Sequence, residues 1–192
     1  MRLINIPETD LSEDEKKTVA GSWNNNALPS KIKDFLFKFN TNKLPINTRL
    51  LHMVQGTETN RACTFCTVSK DLPTPEETFA HLFWDCPHTR KHINSYFDNF
   101  FPELRNQTEN VKKTFWFTGC GGNTVEMHNI SRIVHLYSIW DLHTKRKIVS
   151  WATLKINTDH ETSRIINSSH RLKHAINNNN FAIYRYWHER QQ

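Results

Sequence analysis

The sequence predicts an all-α fold, a multi-helix domain stapled by one Cys3His metal knuckle, and three observations carry that expectation. Glycine is scarce, five in 192 residues, and Gly119, Gly121 and Gly122 fall together in one short loop. Apolar residues recur at helical spacing over long stretches instead of alternating as in half-buried strands. Finally, Cys63-Thr64-Phe65-Cys66 followed by His81 and Cys86 spells C-x2-C-x14-H-x4-C, a full ligand set for one tetrahedral Zn²⁺.

The elements follow in order. Ser12 and Glu15 have capping-box spacing, which predicts a helix from about Glu13 to Trp23, ended by Asn24–Asn26. Pro29-Ser30 opens a second helix in which Ile32, Phe35, Leu36 and Phe39 form one buried stripe, with Lys31, Lys33 and Lys38 outside it. After Pro45, the residues Ile46, Leu50, Met53 and Val54 predict a short third helix stopped by Gly56. Thr74-Pro75-Glu76-Glu77 reads as a helix start, with a Thr N-cap, Pro at the first position and Glu at the third, and Phe79, Leu82 and Phe83 turn inward. Pro87 ends that helix after Cys86 and can open the next, whose inward residues are Ile93, Tyr96, Phe97, Phe100 and Phe101.

Beyond the glycine loop, Ile130, Ile133, Val134, Tyr137 and Trp140 predict a long helix reaching about Lys147. A last helix is expected over Ser150–Ile176, patterned by Ile165, Ile166, Leu172 and Ile176. Asn177–Asn180 ends it, before an aromatic, basic tail with Phe181, Tyr184, Tyr186 and Trp187. The expected organisation is an N-terminal helical, acidic extension (1–27), a zinc-binding helical domain (28–105) and a C-terminal long-helix region with the basic aromatic tail (106–192), the boundary being soft near Asn106–Lys113.

Size and composition narrow the function. No run approaches the roughly 18 apolar residues of a membrane span. The polar start, ending in Asp10, Glu13, Asp14 and Glu15, resembles neither a secretory signal nor a transit peptide. Four cysteines, three in ligand spacing, fit a reducing compartment, nuclear or cytoplasmic, better than a disulfide scaffold. A net charge of +6 and a pI near 9.2 are compatible with a polyanionic partner and equally with a solvated surface.

In the ligand cluster, two cysteines spaced by two residues can hold a metal from one tight turn. His81 lies on a helix, and Cys86 is too far round an ideal helix to share its face; the break at Pro87 lets Cys86 swing back. Four ligands with no open position describe one structural zinc, not a catalytic one. His88 is the rival to His81, and Cys120 is expected to be a free thiol. Arg61, Lys70 and Arg90 can offset the net negative charge of three thiolates, one imidazole and Zn²⁺. Trp84, beside the ligands, can stack on a base, although a core or interface role suits it better.

These residues also carry a resemblance. The run Leu28–Phe39, the segment Leu44–Leu50, the C-x2-C and Glu77-Thr-Phe-Ala-His-Leu-Phe-Trp-Asp-Cys-Pro resemble the zinc-binding region downstream of the polymerase in LINE-type (non-long-terminal-repeat) retrotransposon reverse transcriptases. Tyr137-Ser-Ile-Trp140, followed by a basic run and a long helix, resembles the end of such proteins, so the similarity spans about Leu28 to Ile176. It implies metal ligation by Cys63, Cys66, His81 and Cys86, and RNA or target-DNA binding without catalysis. No Tyr/Phe-x-Asp-Asp polymerase motif occurs, nor a Pro-Asp…Asp/Glu-x-Lys nuclease pattern after the cluster. The expectation is therefore a detached C-terminal fragment, a degenerate element product or a domesticated module, not an enzyme.

Phosphate contacts need Lys or Arg on one face. The candidates are Lys31, Lys33, Lys38, Lys43 and Arg49, then Arg61, Arg90 and Lys91 around the metal, then Lys145-Arg146-Lys147 at a helix end. That last run can equally serve the helix dipole. Asp141-Leu142-His143 reads as helix surface, and no small-molecule substrate or catalytic constellation is indicated. The alternative to nucleic-acid binding is a protein–protein interaction scaffold in which zinc only holds helices together. Clustered cations favour binding; dispersed ones favour the scaffold.

Overall fold

The structure, a computed structural model, describes residues 12–22, 25–50, 61–69, 74–101, 104–120, 126–147, 150–169 and 172. Among them the order is α1 (Glu13–Gly21), α2 (Ser30–Asn40), α3 (Asn47–Leu50), α4 (Thr64–Val68), a π-helical turn (His81–Asp85), α5 (Pro87–Phe100), α6 (Glu109–Thr118), α7 (Glu126–Thr144) and α8 (Trp151–Ser168). The described residues form helices and no strands. Their only extended pairing is an antiparallel bridge between Ala62 and Glu76. The described residues are all-α, as composition and periodicity predict.

Local chemistry explains most of these elements. Ser12 and Glu15 close the capping box of α1, the Ser12 amide donating to Glu15 at 2.8 Å and the Glu15 amide to Ser12 Oγ at 3.3 Å. That helix ends at Gly21, short of Trp23. In α2 the stripe Ile32, Phe35, Leu36 and Phe39 is buried, as its spacing requires. Pro87 is the first residue of α5, where its missing N–H costs nothing, and Ile93, Tyr96, Phe97 and Phe101 are buried.

Sequence periodicity passes over α6, which interrupts the soft boundary expected near Asn106–Lys113. Its signals are local: Thr108 caps its start and Gly119 its end. Gly119 has φ +74°, and a Cβ there would sit 2.5 Å from Asn129 Oδ1, so another residue would strain the backbone and displace that side chain. The helix from Trp151 stops at Ser168, where Ser169 turns extended; Leu172 is helical and buried, and the expected continuation to Ile176 lies outside the described residues. Met53, Val54, Gly56, Lys70, Gly121, Gly122, Ile176 and the aromatic tail lie outside the described residues.

The core is aromatic and draws on nearly every helix. Phe39 meets Phe79 at 4.8 Å, Phe83 at 5.0 Å and Phe117 at 6.1 Å between ring centroids. Phe35 meets Tyr137 at 5.6 Å and Trp140 at 6.5 Å, which seats α2 on α7. Such pairs contribute about 0.5–1.5 kcal/mol each beyond the area they bury. On the far side, Trp116 donates its Nε1–H to the Phe83 carbonyl at 2.8 Å, tying α6 to the π turn.

Arg132 and His135 are among the polar groups buried beside this core. The Arg132 guanidinium bonds the Trp116 carbonyl at 2.7 Å and Asn129 Oδ1 at 2.7 and 3.0 Å, and burial pulls it down to about 10. The α6 C-terminal carbonyls favour this cation. His135 is enclosed by Tyr96 (4.6 Å) and Trp116 (5.6 Å), with Nδ1 3.1 Å from Thr158 Oγ1. Burial, with a smaller push from His92, lowers its pKa to about 3, so it is neutral.

Candidate metal centre

Local folding brings the four sulfur and nitrogen ligands to one point. Cys63 precedes α4 and Cys66 lies within it, so one short helical turn presents both thiols. His81 opens the π turn, and the Cys86 amide donates to the His81 carbonyl at 2.7 Å, five residues back. This widened turn places Cys86 one turn beyond His81, which an ordinary α-helix would not do. Cys86 then leaves helical geometry (φ −63°, ψ 125°) to precede α5. The break at Pro87 thus works together with a π turn that spacing alone does not disclose.

The ligand atoms of Cys63, Cys66, His81 and Cys86 all lie within 4.8 Å of one another. Cys63 Sγ is 3.8 Å from Cys86 Sγ, and Cys66 Sγ is 3.7 Å from both Cys86 Sγ and His81 Nε2. A disulfide would need about 2.05 Å. A tetrahedral Zn²⁺ with metal–sulfur bonds of about 2.3 Å has sulfur–sulfur edges of about 3.8 Å. The spacing therefore fits a four-coordinate zinc and excludes a cystine.

The close thiols also perturb one another. The hydrogen bond between Cys63 and Cys86, aided by burial, pushes Cys63 up, and the same bond pulls Cys86 down to about 3. Zn²⁺ ligation requires the thiolate forms and releases any protons the thiols carry. With all four positions supplied by the chain, the ion would have no open site for substrate.

The surrounding residues are not all where spacing suggests. His81, not His88, joins the cluster; the His88 ring instead lies 3.5 Å from Ser69 Oγ. Cys120 stands apart, its thiol facing the Glu15 carbonyl at 3.8 Å. Trp84 is buried in the core, with the Arg90 guanidinium 4.2 Å from its ring centroid, so it offers no face to a base. Arg90 also pairs with Glu109, and Arg61 lies 3.5 Å from Glu76, so both face acids rather than the knuckle alone.

Thr74–Glu77 is not a helix start. The Cys63 amide donates to the Pro75 carbonyl at 2.8 Å and the Glu77 amide to the Arg61 carbonyl at 2.7 Å, which keeps this stretch extended. Thr78 takes over as cap, its hydroxyl accepting from the His81 amide at 3.0 Å. Glu77 is fully buried instead of capping locally. Its Oε1 accepts from the Asn47 amide and from His143 Nε2, each at 2.9 Å, and Oε2 from the Thr64 amide at 2.7 Å. Burial pushes this carboxyl up, but His143 and the two amides outweigh it and hold it below the usual range. His143, read as helix surface, is therefore a buried residue of the centre.

The remaining candidates divide by their neighbours. Lys31 lies 3.4 Å from Glu161, Lys38 2.6 Å from Asp34 and Lys145 2.6 Å from Asp141. Lys33, Lys43, Arg49, Lys91, Arg146 and Lys147 have no acid partner among the described residues. Arg49 reaches the Leu44 carbonyl at 3.5 Å, and Lys43 lies 5.8 Å from the Phe37 ring centroid. Arg146 adopts φ +51°, left-handed for a residue with a side chain, and Lys147 donates its amide to the Leu142 carbonyl at 3.0 Å to cap α7.

Helical architecture and a largely buried Cys3His cluster define a helical protein with a candidate zinc site. Residues 8–92, somewhat under half of the chain, match the family model described as zinc-binding in reverse transcriptase. This segment is thus similar to the zinc-binding regions of reverse transcriptases. No curated protein and no solved structure matches the chain significantly. The matched family describes a metal-binding region and not a catalytic domain. Among the described residues, no helix is long and apolar enough to cross a membrane.

Proposed function

We propose that the chain is a nucleic-acid-binding module, held together by one structural zinc, that resembles the C-terminal region of LINE-type retrotransposon reverse transcriptases and carries no polymerase or nuclease centre. One observation supports this best. The Asn47 amide and the His143 ring bond the same Glu77 oxygen at 2.9 Å, so the first turn of α3 and the last turn of α7 meet there. Arg49 stands one turn or less from one of these groups, and Arg146 and Lys147 from the other, none facing an acid among the described residues. Cations left without carboxylates beside one another suit a phosphate backbone. Lys33, Lys43 and Lys91 extend the basic surface, while Lys31, Lys38, Arg61, Arg90 and Lys145 are partly neutralised and contribute less.

The test is binding of the zinc-loaded protein to single-stranded RNA, structured RNA and duplex DNA across a salt series. Binding that weakens linearly in log salt, with a slope of about −0.9 per phosphate contact on duplex DNA, is the expected result. A triple alanine variant at Arg49, Arg146 and Lys147 should flatten that slope. Absence of binding to all three at low salt would refute the proposal and favour the protein-scaffold reading, with which the ion-paired lysines are compatible.

A further inference from the structure

The buried carboxylate of Glu77 joins three parts of the chain that are distant in sequence. Its Oε2 accepts the first amide of α4, at Thr64, directly after the ligand Cys63. Its Oε1 accepts the first amide of α3 and the His143 ring, and its carbonyl accepts Thr48 Oγ1 at 2.8 Å. Thr64 Oγ1 in turn lies 3.2 Å from both His143 Nε2 and Asn47 Nδ2. His143 Nδ1 is buried with no hydrogen-bond partner, so the polar contacts of the ring run through Nε2, to Glu77 and Thr64. His143 is further held between Phe65 (6.0 Å) and Trp140 (4.9 Å).

An ionised carboxylate tolerates full burial only when such donors surround it. Removing one donor therefore releases the others, and the amide nearest to be released belongs to the helix that presents Cys63 and Cys66. We propose that Glu77 and His143 are positioning residues of the metal centre, so that zinc affinity is set partly from α7, outside the family-matched segment. By reciprocity, metal binding holds the last turn of α7 in place. This rests on the zinc reading above. Neither residue touches the ion; both act by fixing the Cys63–Cys66 turn, as outer groups around metal sites do.

The experiment uses the full chain, stripped of metal under reductant and titrated with Zn²⁺ against a chromophoric chelator, with Co²⁺ as a spectroscopic probe. Glu77→Gln and His143→Ala should weaken zinc binding by about tenfold or more, while Co²⁺ keeps the intense bands of a tetrahedral thiolate site. His143→Gln, which retains a donor near the Nε2 position, should recover most of the loss. Hydrogen exchange on the wild-type protein provides a readout independent of how the variants fold: chelation should accelerate exchange at 140–144 as well as at 63–69. If His143→Ala binds zinc as tightly as wild type, or if chelation leaves 140–144 protected, the coupling is overturned. If the wild-type protein binds no zinc at all, the zinc reading itself fails.

Discussion

Replacing Cys86 with serine tests the metal centre most directly. Cys86 is fully buried, and its sulfur forms two edges of the ligand cluster, 3.8 Å to Cys63 and 3.7 Å to Cys66. The elements it holds have little stability of their own: α3 has four residues, α4 five and the π turn five. Isolated helices shorter than roughly 12–15 residues are marginal in water. Structural zinc supplies roughly 10–16 kcal/mol in small zinc-finger peptides, so one ligand of four carries on the order of 3 kcal/mol. Against a typical domain stability of about 5–15 kcal/mol, that loss is large. We expect Cys86→Ser to lower the melting transition sharply and to expose Ile46–Phe101 to rapid hydrogen exchange. Circular dichroism melts and exchange mass spectrometry, with and without a strong chelator, provide the assay. If the variant melts with wild-type midpoint and helicity, and chelation leaves the wild-type melt unchanged, the structural role of the metal is refuted.

Two further perturbations separate binding and folding. Arg146→Gly relieves a left-handed backbone (φ +51°) and should stabilise the fold by up to about 1 kcal/mol, yet lower the salt slope of nucleic-acid binding by about 0.9; a urea titration beside the binding series checks both, and unchanged binding would remove Arg146 from the interface. His135, held at about 3 in the folded state against 6.5 ordinarily, takes up its proton only on unfolding as pH falls below 6.5. Its contribution is fully present above that value and is lost as pH falls toward 3, by about 1.4 kcal/mol per pH unit where the difference is one proton. Urea midpoints of wild type and His135→Leu from pH 7 to 5 should therefore diverge in slope, and parallel slopes would show that His135 is not buried neutral.

The features legible in the sequence are those that close within a few residues. The α1 capping box, the α2 stripe and Pro87 at the start of α5 each depend on neighbours within two turns. The ligand set is legible for the same reason, because each half of the cluster is a local spacing. Glu77 shows where that logic ends. Three residues after Thr74 it has the position of a capping glutamate, yet the Ala62–Glu76 bridge holds the stretch extended and tertiary donors claim the carboxylate. Its pairing with His143 spans 66 positions, and no local period records it. The π turn is hidden differently: one extra residue between His81 and Cys86 looks like a spacing fault until the 2.7 Å bond from the Cys86 amide to the His81 carbonyl accounts for it. In α6 the signals at Thr108 and Gly119 are present but flank a short helix whose buried run, Phe115–Thr118, lies at one end.

The family-matched segment does not complete its own core. Phe35 meets Tyr137 and Trp140, while Phe39, Phe79 and Trp84 all meet Phe117, and each of these contacts crosses residue 92. The polar contacts cross it too: Trp116 bonds the π-turn carbonyl of Phe83, and His143 bonds Glu77 beside the knuckle. Apolar packing alone would let α7 slide along α2, because aromatic contacts are broad in angle and distance. A buried hydrogen-bond node admits one register, since any displacement strands a carboxylate without donors. The aromatic layer thus supplies most of the attraction between the two halves, and the Glu77 node fixes where they meet. That node lies beside Cys63 and joins the first turn of α3 to the last turn of α7. On the proposed reading, metal occupancy determines not only whether the basic surface exists but the spacing of the charges it presents.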